Sequence, residues 1–466
     1  MSVQEQLFWA PLAWLDGRWQ ARVLMAVDAR GHWASFEAGR AAPASAEILA
    51  GPVLPSLVDA HSHAFQRAFA GLAERRGENG AGDEDDFWSW RDRMYGLALK
   101  IRPDQLRAIA AQLYLELLKG GYTQVCEFHY LQHREDGSAY PGDGLTLSWA
   151  LADAAADVGL GLTLLPVLYA HAGFAQPALR PDQRRFATDA DWVWRAARAV
   201  NAAGRPLLNA GVALHSLRAA HAGDLRALQA LVGEADLPIH IHIAEQQQEI
   251  ADCLAATGRR PMQYLCEAFR PDARWQLVHA THSVPDEIEA VAASGAGVVI
   301  CPGTEGNLGD GLCDLPAWLR AGVPMSLGSD SHVTRAWVEE LRWLEYGQRL
   351  GLQRRNVAAD PGRAPSSAAR LFEACRAGSA RPAGLAAWGL APGARADFLV
   401  LERGASGLLG LPADSLLDGL VFASQGQAWE AVYVGGRPAL VQGRHAQEAR
   451  IAADFAACMA ELWGKD

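Results

Sequence analysis

Short apolar runs alternate along the chain with longer stretches in which apolar residues recur every three or four positions. Apolar runs of roughly four to eight residues indicate buried strands, and the longer period indicates helices that pack against them. Eight such runs are present, at residues 54–58, 123–128, 161–167, 211–215, 238–243, 276–279, 297–301 and 324–328. Eight strand–helix repeats within roughly 330 residues predict an α/β fold of the TIM (β/α)8 barrel type.

Polar residues follow the ends of six of these runs. They are His61 and His63 after the first, Glu127 to Tyr130 after the second, His215 to Arg218 after the fourth, His242 and Glu245 after the fifth, His279 after the sixth, and Ser329 and Asp330 after the eighth. Functional side chains of TIM barrels lie at the carboxyl ends of the strands, whereas core packing gives no such bias. We therefore expect a functional site at this end of the barrel.

The two ends of the chain have a different pattern, with short, Trp-rich apolar runs in residues 7–49 and turn signals at Asp16-Gly17 and Arg30-Gly31. This pattern is typical of small antiparallel strands. Similar runs return at 396–401 and 431–437, and a last helix is predicted from about residue 450.

We therefore predict three units. Residues 1–52 and 386–450 form a small β-sandwich-like domain, residues 53–385 form the barrel, and residues 451–466 form a C-terminal helix. Residues 71–86, which are rich in Gly, Glu and Asp, are predicted to form a long surface loop.

Composition narrows the possible partners and the compartment. The chain has 42 basic and 53 acidic residues, a net charge of −11 and no basic run, which argues against nucleic acid or an anionic membrane as a partner. Its seven cysteines form no CxxC pair, and this pattern favours buried thiols in a reducing, cytoplasmic compartment. The N-terminal segment has no signal-peptide pattern, and no apolar stretch reaches the length of about 18 residues that a membrane span needs.

Histidine spacing points to a metal site. His61 and His63 are two residues apart, so on a strand they face the same side, and imidazole is a common zinc ligand. His240 and His242 share this spacing. We favour His242 as the ligand because it lies nearer the carboxyl end of its strand, and we interpret His240 as a hydrogen-bonded core residue. Asp330 offers either a ligand carboxylate or a helix N-cap.

Taken together, these motifs resemble the amidohydrolase superfamily, in its mononuclear metal-dependent deaminase branch. The motifs that carry the resemblance are His61-x-His63, His242-x-x-Glu245, His279 and Ser329-Asp330. The resemblance implies four metal ligands, which are His61, His63, His242 and Asp330. It implies catalytic roles for Glu245, His279 and Asp330.

The resemblance also bears on the metal and on assembly. Binuclear members of the superfamily carry a bridging carboxylated lysine at the end of strand four, where this chain has His215. One divalent ion is therefore expected. Zn²⁺ is favoured, although the same ligand types also accept iron or manganese. Members of this superfamily often form homodimers.

Four stretches, at residues 59–67, 88–95, 127–130 and 215–218, are similar to those of iminohydrolases that convert N-formimino-L-glutamate, a small dicarboxylate, into N-formyl-L-glutamate and ammonia. This similarity implies a set of substrate-binding residues, which are Gln66, Arg91, Tyr130, His215 and Arg218. Arginine suits a dicarboxylate because its guanidinium binds carboxylates in a bidentate manner. Arg91 could instead belong to a surface ion-pair cluster, and Tyr130 could be a core residue.

The implied reaction is hydrolytic. Water activated by the metal attacks the formimino carbon, Asp330 and His279 accept or orient protons, and Glu245 passes a proton to the departing nitrogen. Two alternatives stay open at this point. The motif set also suits deaminases of nucleobases or related heterocycles, for which the 16 tryptophans could provide stacking surfaces. The chain could also be a catalytically inactive metal-binding protein.

Overall fold

A computed structural model describes residues 5–75, 86–426 and 428–464, which form a closed parallel barrel with a second sheet beside it. Of the predicted 71–86 loop, residues 76–85 lie outside the described ranges. The strands are β1 (Gln6–Leu15), β2 (Arg18–Val27), β3 (Trp33–Glu37), β4 (Glu47–Ile48), β5 (Val53–Pro55), β6 (Leu57–Ser62), β7 (Tyr122–His129), β8 (Gly161–Leu168), β9 (Leu208–Ala210), β10 (Val212–Ser216), β11 (Ile239–Ile243), β12 (Trp275–His279), β13 (Gly297–Ile300), β14 (Met325–Leu327), β15 (Phe398–Leu401), β16 (Trp429–Val434) and β17 (Arg437–Val441).

The helices occupy most of the chain between the strands. They are α1 (Phe87–Ala98), α2 (Pro103–Lys119), α3 (Thr146–Val158), α4 (Ala190–Ala202), α5 (Ala222–Val232), α6 (Gln247–Thr257), α7 (Pro261–Phe269), α8 (Pro285–Ser294), α9 (Pro302–Leu308), α10 (Leu315–Ala321), α11 (Trp337–Leu352), α12 (Ser367–Gly378), α13 (Leu416–Ala423) and α14 (Glu448–Trp463). Short 3-10 helices span Ala64–Ala68, Pro181–Phe186 and Ala413–Ser415. Among the described helices, none is both long enough and apolar enough to cross a membrane.

The barrel closes through parallel pairing of β6, β7, β8, β10, β11, β12, β13 and β14, with β14 pairing back onto β6. Every residue of these eight strands is buried except His215, which is partly exposed. Strands of this kind are covered on one face by barrel-filling side chains and on the other by helices, so their sequences are nearly continuous apolar runs. The predicted (β/α)8 barrel is confirmed.

The first predicted run, 54–58, divides between two sheets. Val53–Pro55 pairs with β1 and β15 of the second sheet, and the barrel strand follows it as Leu57–Ser62. The chain changes sheets at Ser56, whose hydroxyl lies 2.6 Å from the Thr123 hydroxyl and whose carbonyl accepts a hydrogen bond from the Trp388 indole. An apolar run has no feature that shows which sheet it joins. The other seven runs agree with the observed strands to within one residue at each end.

The second sheet is built from both ends of the chain, as predicted. Its strand order is β17-β16-β15-β5-β1-β2-β3, with β4 beside β1. The β1–β2 hairpin turns at Asp16-Gly17, where both residues have positive φ (51° and 74°), the conformation that a tight two-residue hairpin turn requires. Its core includes Phe398 and Tyr433, whose rings stack with centroids 4.3 Å apart.

The C-terminal helix α14 contacts the segment that follows β6. The Trp463 indole donates a hydrogen bond to the Ala68 carbonyl at 3.0 Å, and its ring stacks on Phe69. Ala68 ends the 3-10 helix that follows His63 and carries Gln66. The end of the chain therefore supports the first segment of the barrel mouth.

Candidate active site

A single cleft at the carboxyl end of the barrel brings the sequence-predicted site residues together. Those that line it are His63, Gln66, Arg91, Tyr130, His215, Arg218, His242, Glu245, His279 and Asp330. His61 does not line the cleft but lies directly beneath it, fully buried, with its Nε2 atom 3.1 Å from that of His63. Helix α1 contributes Phe87, Trp90, Met94 and Tyr95 to the wall, and Leu308 at the end of α9 contributes to the same wall.

Three imidazoles converge at the base of this cleft. The Nε2 atoms of His61, His63 and His242 are 3.0, 3.1 and 3.3 Å apart. Three nitrogens bound to one zinc-type ion at about 2.0–2.1 Å in tetrahedral geometry lie about 3.3 Å apart. The observed triangle has nearly these dimensions.

The tautomers of two of these histidines follow from their neighbours. His63 Nδ1 lies 2.8 Å from the Phe128 carbonyl oxygen, and His242 Nδ1 lies 2.7 Å from the His215 carbonyl oxygen. A carbonyl only accepts hydrogen bonds, so each Nδ1 carries the proton and each Nε2 presents a lone pair.

Burial lowers the pKa of all three imidazoles, most strongly for His61 and His242, which favours their neutral forms. Converging lone pairs in a buried site repel one another, and a bound cation removes this repulsion.

A carboxylate completes the group. Asp330 Oδ1 lies 3.5 Å from His61 Nε2 and 3.4 Å from His63 Nε2. Three histidine nitrogens with one carboxylate oxygen form a donor set that suits a divalent transition metal. The residues present therefore fit the metal dependence of this type of site.

The position of Asp330 is fixed by contacts between the first and last barrel strands. Asp59 accepts hydrogen bonds from the Ser329 backbone N–H at 2.9 Å and from its hydroxyl at 2.5 Å. The Asp330 N–H donates to the His61 carbonyl at 2.9 Å. Burial raises the pKa of Asp59 to about 7, while its hydrogen bonds with Ser329 oppose the rise. Asp330 has φ +47°, a strained conformation for a non-glycine residue, and these contacts hold it there.

His240 lies outside the group. It is fully buried, and its Nε2 lies 3.0 Å from the Pro382 carbonyl, where it donates a hydrogen bond. The structure thus places His242 in the cluster and His240 in a hydrogen-bonded core position, one layer deeper in the barrel.

His279 lies among three carboxylates. Its Nε2 is 3.7 Å from Glu245 Oε1 and 3.8 Å from Asp330 Oδ2, and its Nδ1 is 3.3 Å from Glu305 Oε1. Burial lowers the pKa of His279, but the charge of Glu245 and the hydrogen bond to Glu305 outweigh this effect and raise it to about 10. A divalent cation beside it would oppose that protonation. The arrangement can hold or move a proton at Nε2.

Glu245 follows β11 and faces the same space. Burial raises its pKa to about 6, despite the opposing charge of His279. Its backbone N–H donates to the buried Glu249 carboxylate at 3.2 Å, and the preceding Ala244 has φ +54°. A carboxyl group with a pKa near neutrality is suited to exchange protons with a substrate.

Two guanidinium groups lie close to the indole ring of Trp88. The Arg91 Cζ lies 4.6 Å from the ring centroid and the Arg218 Cζ lies 5.3 Å from it. Both Nε–H groups are buried, and neither has a hydrogen-bond partner among the described residues. Arg91 also contacts Asp92 at 3.3 Å, whereas across the described ranges no carboxylate lies within 4.0 Å of Arg218. A buried N–H donor without a partner is costly, so the Nε–H groups of Arg91 and Arg218 indicate binding of an anionic ligand.

The remaining predicted residues lie between the metal group and the arginines. Gln66 donates to the Tyr130 hydroxyl at 3.0 Å, and its own Oε1 is buried without a partner among the described residues. Tyr130 packs against the His63 and His215 rings at 5.1 and 5.5 Å. Tyr130 is therefore both a packing residue and part of the cleft wall.

The structure adds polar residues to which the strand-end pattern gave no role. Glu127 accepts hydrogen bonds from the Ser62 hydroxyl at 2.8 Å and the Ala64 N–H at 2.6 Å, so it fixes the turn around His63. Glu305 contacts His279 from α9, just after β13. A signal for Glu305 was present, because a carboxylate four residues after the seventh run follows the same strand-end rule as the others.

Comparisons with known proteins show the family of the chain. The amidohydrolase family model matches residues 53–439. The chain is 44% identical over 457 residues to a formimidoylglutamate deiminase from Pseudomonas aeruginosa, with 97% of this chain and 98% of that protein covered. The crystal structure of an amidohydrolase from Brucella melitensis matches with a TM-score of 0.92 at 38% identity, covering 98% of this chain and 99% of that one.

A more distant structure shares the fold alone. An adenosine deaminase from Xanthomonas campestris, solved with bound zinc, matches with a TM-score of 0.79 at 21% identity over 98% of each chain. The family match spans most of the chain, and the formimidoylglutamate deiminase is similar over nearly its full length. The chain belongs to the amidohydrolase family.

Proposed function

We propose that the chain hydrolyses N-formimino-L-glutamate to N-formyl-L-glutamate and ammonia in a reaction that requires one divalent metal ion, Zn²⁺. The similarity to the Pseudomonas aeruginosa formimidoylglutamate deiminase supports this substrate. The observation that carries the proposal is the presence, in one cleft, of the histidine group and of two arginines whose buried Nε–H donors have no partner among the described residues.

The proposed metal ligands are His61, His63, His242 and Asp330, supported by the convergence of three nitrogens and one carboxylate oxygen. A divalent ion held there supplies a water nucleophile at neutral pH, because it lowers the pKa of the water that it binds. The absence of a lysine at the end of β10, where His215 stands, supports a single ion. The zinc in the Xanthomonas campestris structure supports the choice of Zn²⁺.

The protein side chains manage the protons of the reaction. Asp330 Oδ2 and His279 Nε2 are 3.8 Å apart, so a proton released by the attacking water can be held between them. Glu245 lies on the far side of His279 Nε2, at 3.7 Å, where its carboxylate can pair with the positively charged formimino nitrogens. The proton released by the water can pass from His279 Nε2 to Glu245, whose carboxyl has a pKa of about 6, and from Glu245 to the departing nitrogen, which leaves as ammonia.

The other proposed residues bind the glutamate part. Arg91 and Arg218 each provide a planar guanidinium group for one carboxylate, and both contact the indole ring of Trp88. Gln66, Tyr130 and His215 line the path from these guanidinium groups to the metal group. A substrate that spans the cleft would thus have its amidine at the histidines and its carboxylates at the arginines.

Deamination of a nucleobase is the second candidate, and the aromatic side chains of the cleft wall favour it. Phe87, Trp90, Tyr95 and Tyr130 could pack against a flat ring. A neutral base would, however, leave the buried Nε–H groups of Arg91 and Arg218 without partners, which typically costs about 1–3 kcal/mol for each. An inactive metal-binding protein would need no Glu245 and His279 beside the metal group. Both alternatives are therefore weaker than the dicarboxylate.

The cellular setting is also part of the proposal. All seven cysteines are free, which supports the reducing cytoplasm as the compartment. A homodimer is expected from the superfamily resemblance, and light scattering on the purified protein would test it.

Turnover by metal-replete protein tests the proposed function. Release of ammonia should be fast with N-formimino-L-glutamate and slower with guanine or cytosine, by roughly 10²- to 10⁴-fold in kcat/KM. The D-isomer of N-formimino-glutamate is a control for this arrangement. Two arginines and the metal group would contact the substrate at three points, so only one enantiomer should fit all three. If guanine or cytosine is hydrolysed faster, the proposal is rejected in favour of nucleobase deamination. If none of these compounds is hydrolysed, the result favours a catalytically inactive metal-binding protein.

A further inference from the structure

Glu305 is a buried carboxylate for which the proposed chemistry has no role so far. It is 4% exposed and lies on α9, the short helix that follows β13. Within the described ranges, the His279 imidazole is the only cationic group within 4.0 Å of its carboxylate. A buried carboxylate is costly unless it is paired and hydrogen-bonded, so the contact with His279 is the natural place to look for its function.

The orientation of this carboxylate is fixed from the protein side. Glu305 folds back on the start of its own helix, and its Oε1 accepts a hydrogen bond from the Cys301 N–H at 3.0 Å. The Glu305 N–H in turn donates to the Cys301 carbonyl at 2.9 Å, and the Asp310 N–H donates to the Glu305 carbonyl at 3.0 Å. Backbone and side chain are therefore both anchored, and Oε1 is not free to rotate away.

The same oxygen faces His279. Nδ1 of His279 lies 3.3 Å from Glu305 Oε1, on the side of the ring opposite to Nε2. This oxygen already acts as an acceptor towards the Cys301 N–H, so we assign the ring proton to Nδ1, which donates to it. His279 itself has φ +70°, and the next residue, Ala280, has φ +53°, so the backbone that presents the ring is strained and depends on surrounding contacts.

We propose that Glu305 is a positioning residue for His279. Its Oε1, held by the Cys301 N–H, accepts a hydrogen bond from Nδ1–H of His279 and keeps Nε2 of that ring directed at the space between Glu245 and Asp330. Partners that fix the far nitrogen of an active-site imidazole set both its tautomer and its orientation. Glu305 touches no reacting atom in this arrangement and acts through His279 alone.

Two substitutions separate this role from a general effect on folding. In Glu305→Gln the Cys301 N–H still binds the side-chain oxygen, so that oxygen still faces Nδ1 and the tautomer is kept. In Glu305→Leu the acceptor is lost and His279 can turn or change tautomer. Glu340→Gln is the matched control, because Glu340 is also buried and also accepts from the start of α9, at the Gly303 N–H (2.8 Å).

The first measurement needs no catalysis and uses the full-length chain loaded with zinc. Histidine labelled with ¹⁵N gives signals from the 14 histidines, and His279→Asn identifies the signal of His279 by its loss. We expect a protonated, slowly exchanging Nδ1–H in the wild type, in Glu305→Gln and in Glu340→Gln, and its loss in Glu305→Leu. A wild-type His279 that carries its only ring proton on Nε2, or a Nδ1–H signal that persists in Glu305→Leu, would overturn the proposal.

The second measurement rests on the proposed function and uses N-formimino-L-glutamate. Glu305→Leu should lower kcat about 10²-fold with KM within about threefold and metal content unchanged, Glu305→Gln should stay within about tenfold of the wild type, and Glu340→Gln should match it. In a His279→Asn background, Glu305→Leu should not lower kcat further, because the imidazole that Glu305 positions is already absent. Independent, multiplicative losses would show a merely structural role.

The two hypotheses can fail separately. Absence of turnover by the metal-loaded wild type would reject the proposed function, while the histidine spectra would still decide the role of Glu305. If Glu305→Leu does not fold, the wild-type and Glu305→Gln spectra alone decide it.

Discussion

Replacement of Arg218 by Met tests the substrate assignment most directly. Arg218 is 8% exposed, its Nε–H has no partner among the described residues, and its flat face lies on Trp88. Methionine keeps an apolar contact with that ring but lacks the guanidinium group that would bind a carboxylate. The protein should therefore fold and bind metal as before.

The expected loss follows from the burial of this site. A hydrogen bond between charged groups contributes about 1.5–3 kcal/mol, which corresponds to roughly 10- to 150-fold in kcat/KM. A substrate carboxylate left in a buried site without its partner adds to this cost, so the loss for N-formimino-L-glutamate should reach about 10²- to 10³-fold. N-formimino-glycine lacks the side-chain carboxylate, and it should lose much less if Arg218 binds that group.

Ammonia release measured against substrate concentration provides the assay. Arg226→Met is the matched control, since Arg226 also lies over an aromatic ring, that of Phe269 at 5.3 Å, but away from the cleft. It should behave as the wild type. Retention of kcat/KM within about threefold in Arg218→Met, with full metal content, would refute the reasoning. Equal losses for both substrates would instead assign Arg218 to the carboxylate that the two share.

Three further predictions concern the metal, the proton transfer and stability. His61→Ala and Asp330→Ala should lose metal and activity together, and plasma emission on active wild type should give one ion per chain, so two equivalents would contradict the single-ion site. Glu245→Gln should keep the metal but lower kcat by about 10²-fold or more, whereas loss of metal would make Glu245 a ligand. Burial raises the pKa of Glu340 from 4.5 to about 8, so the folded state retains a proton that the unfolded chain releases between these values. This contribution to folding is complete below pH 4.5 and is lost as the pH rises towards 8, by about 1.4 kcal/mol per pKa unit. Glu340→Gln should therefore lose less stability than the wild type in denaturant unfolding between pH 5 and pH 8, and equal pH slopes would contradict this origin.

Much of the architecture could be predicted from local patterns. The barrel strands are buried on both faces, so each is an apolar run that the sequence shows directly, and the turn at Asp16-Gly17 has the residues that a tight hairpin needs. The spacing of His61 and His63 likewise determines that both face one side of a strand. These features depend on residues that are neighbours in sequence.

Contacts between distant segments could not be predicted in the same way. The 54–58 run has no feature that assigns its first residues to the second sheet, because strand pairing depends on partners such as β15 near the other end of the chain. The preference for His242 over His240 followed from its place in the strand, but the distances from its Nε2 atom to those of His61 and His63 depend on closure of the whole sheet. The Nε2 atoms of His61, His63 and His242 come together only because β6 and β11 face each other across that closed barrel.

The supporting polar contacts were also decided by tertiary structure. Asp59 meets Ser329 across 270 positions of the chain, and the Trp88 ring contacts two arginines that come from α1 and from the segment after β10. The sequence by itself determined which side chains could do chemistry and at which end of the strands they lie. Only the closed barrel decided which of them share a site, because a side chain is oriented by whichever buried donor or acceptor lies within about 3 Å, whatever its distance along the chain.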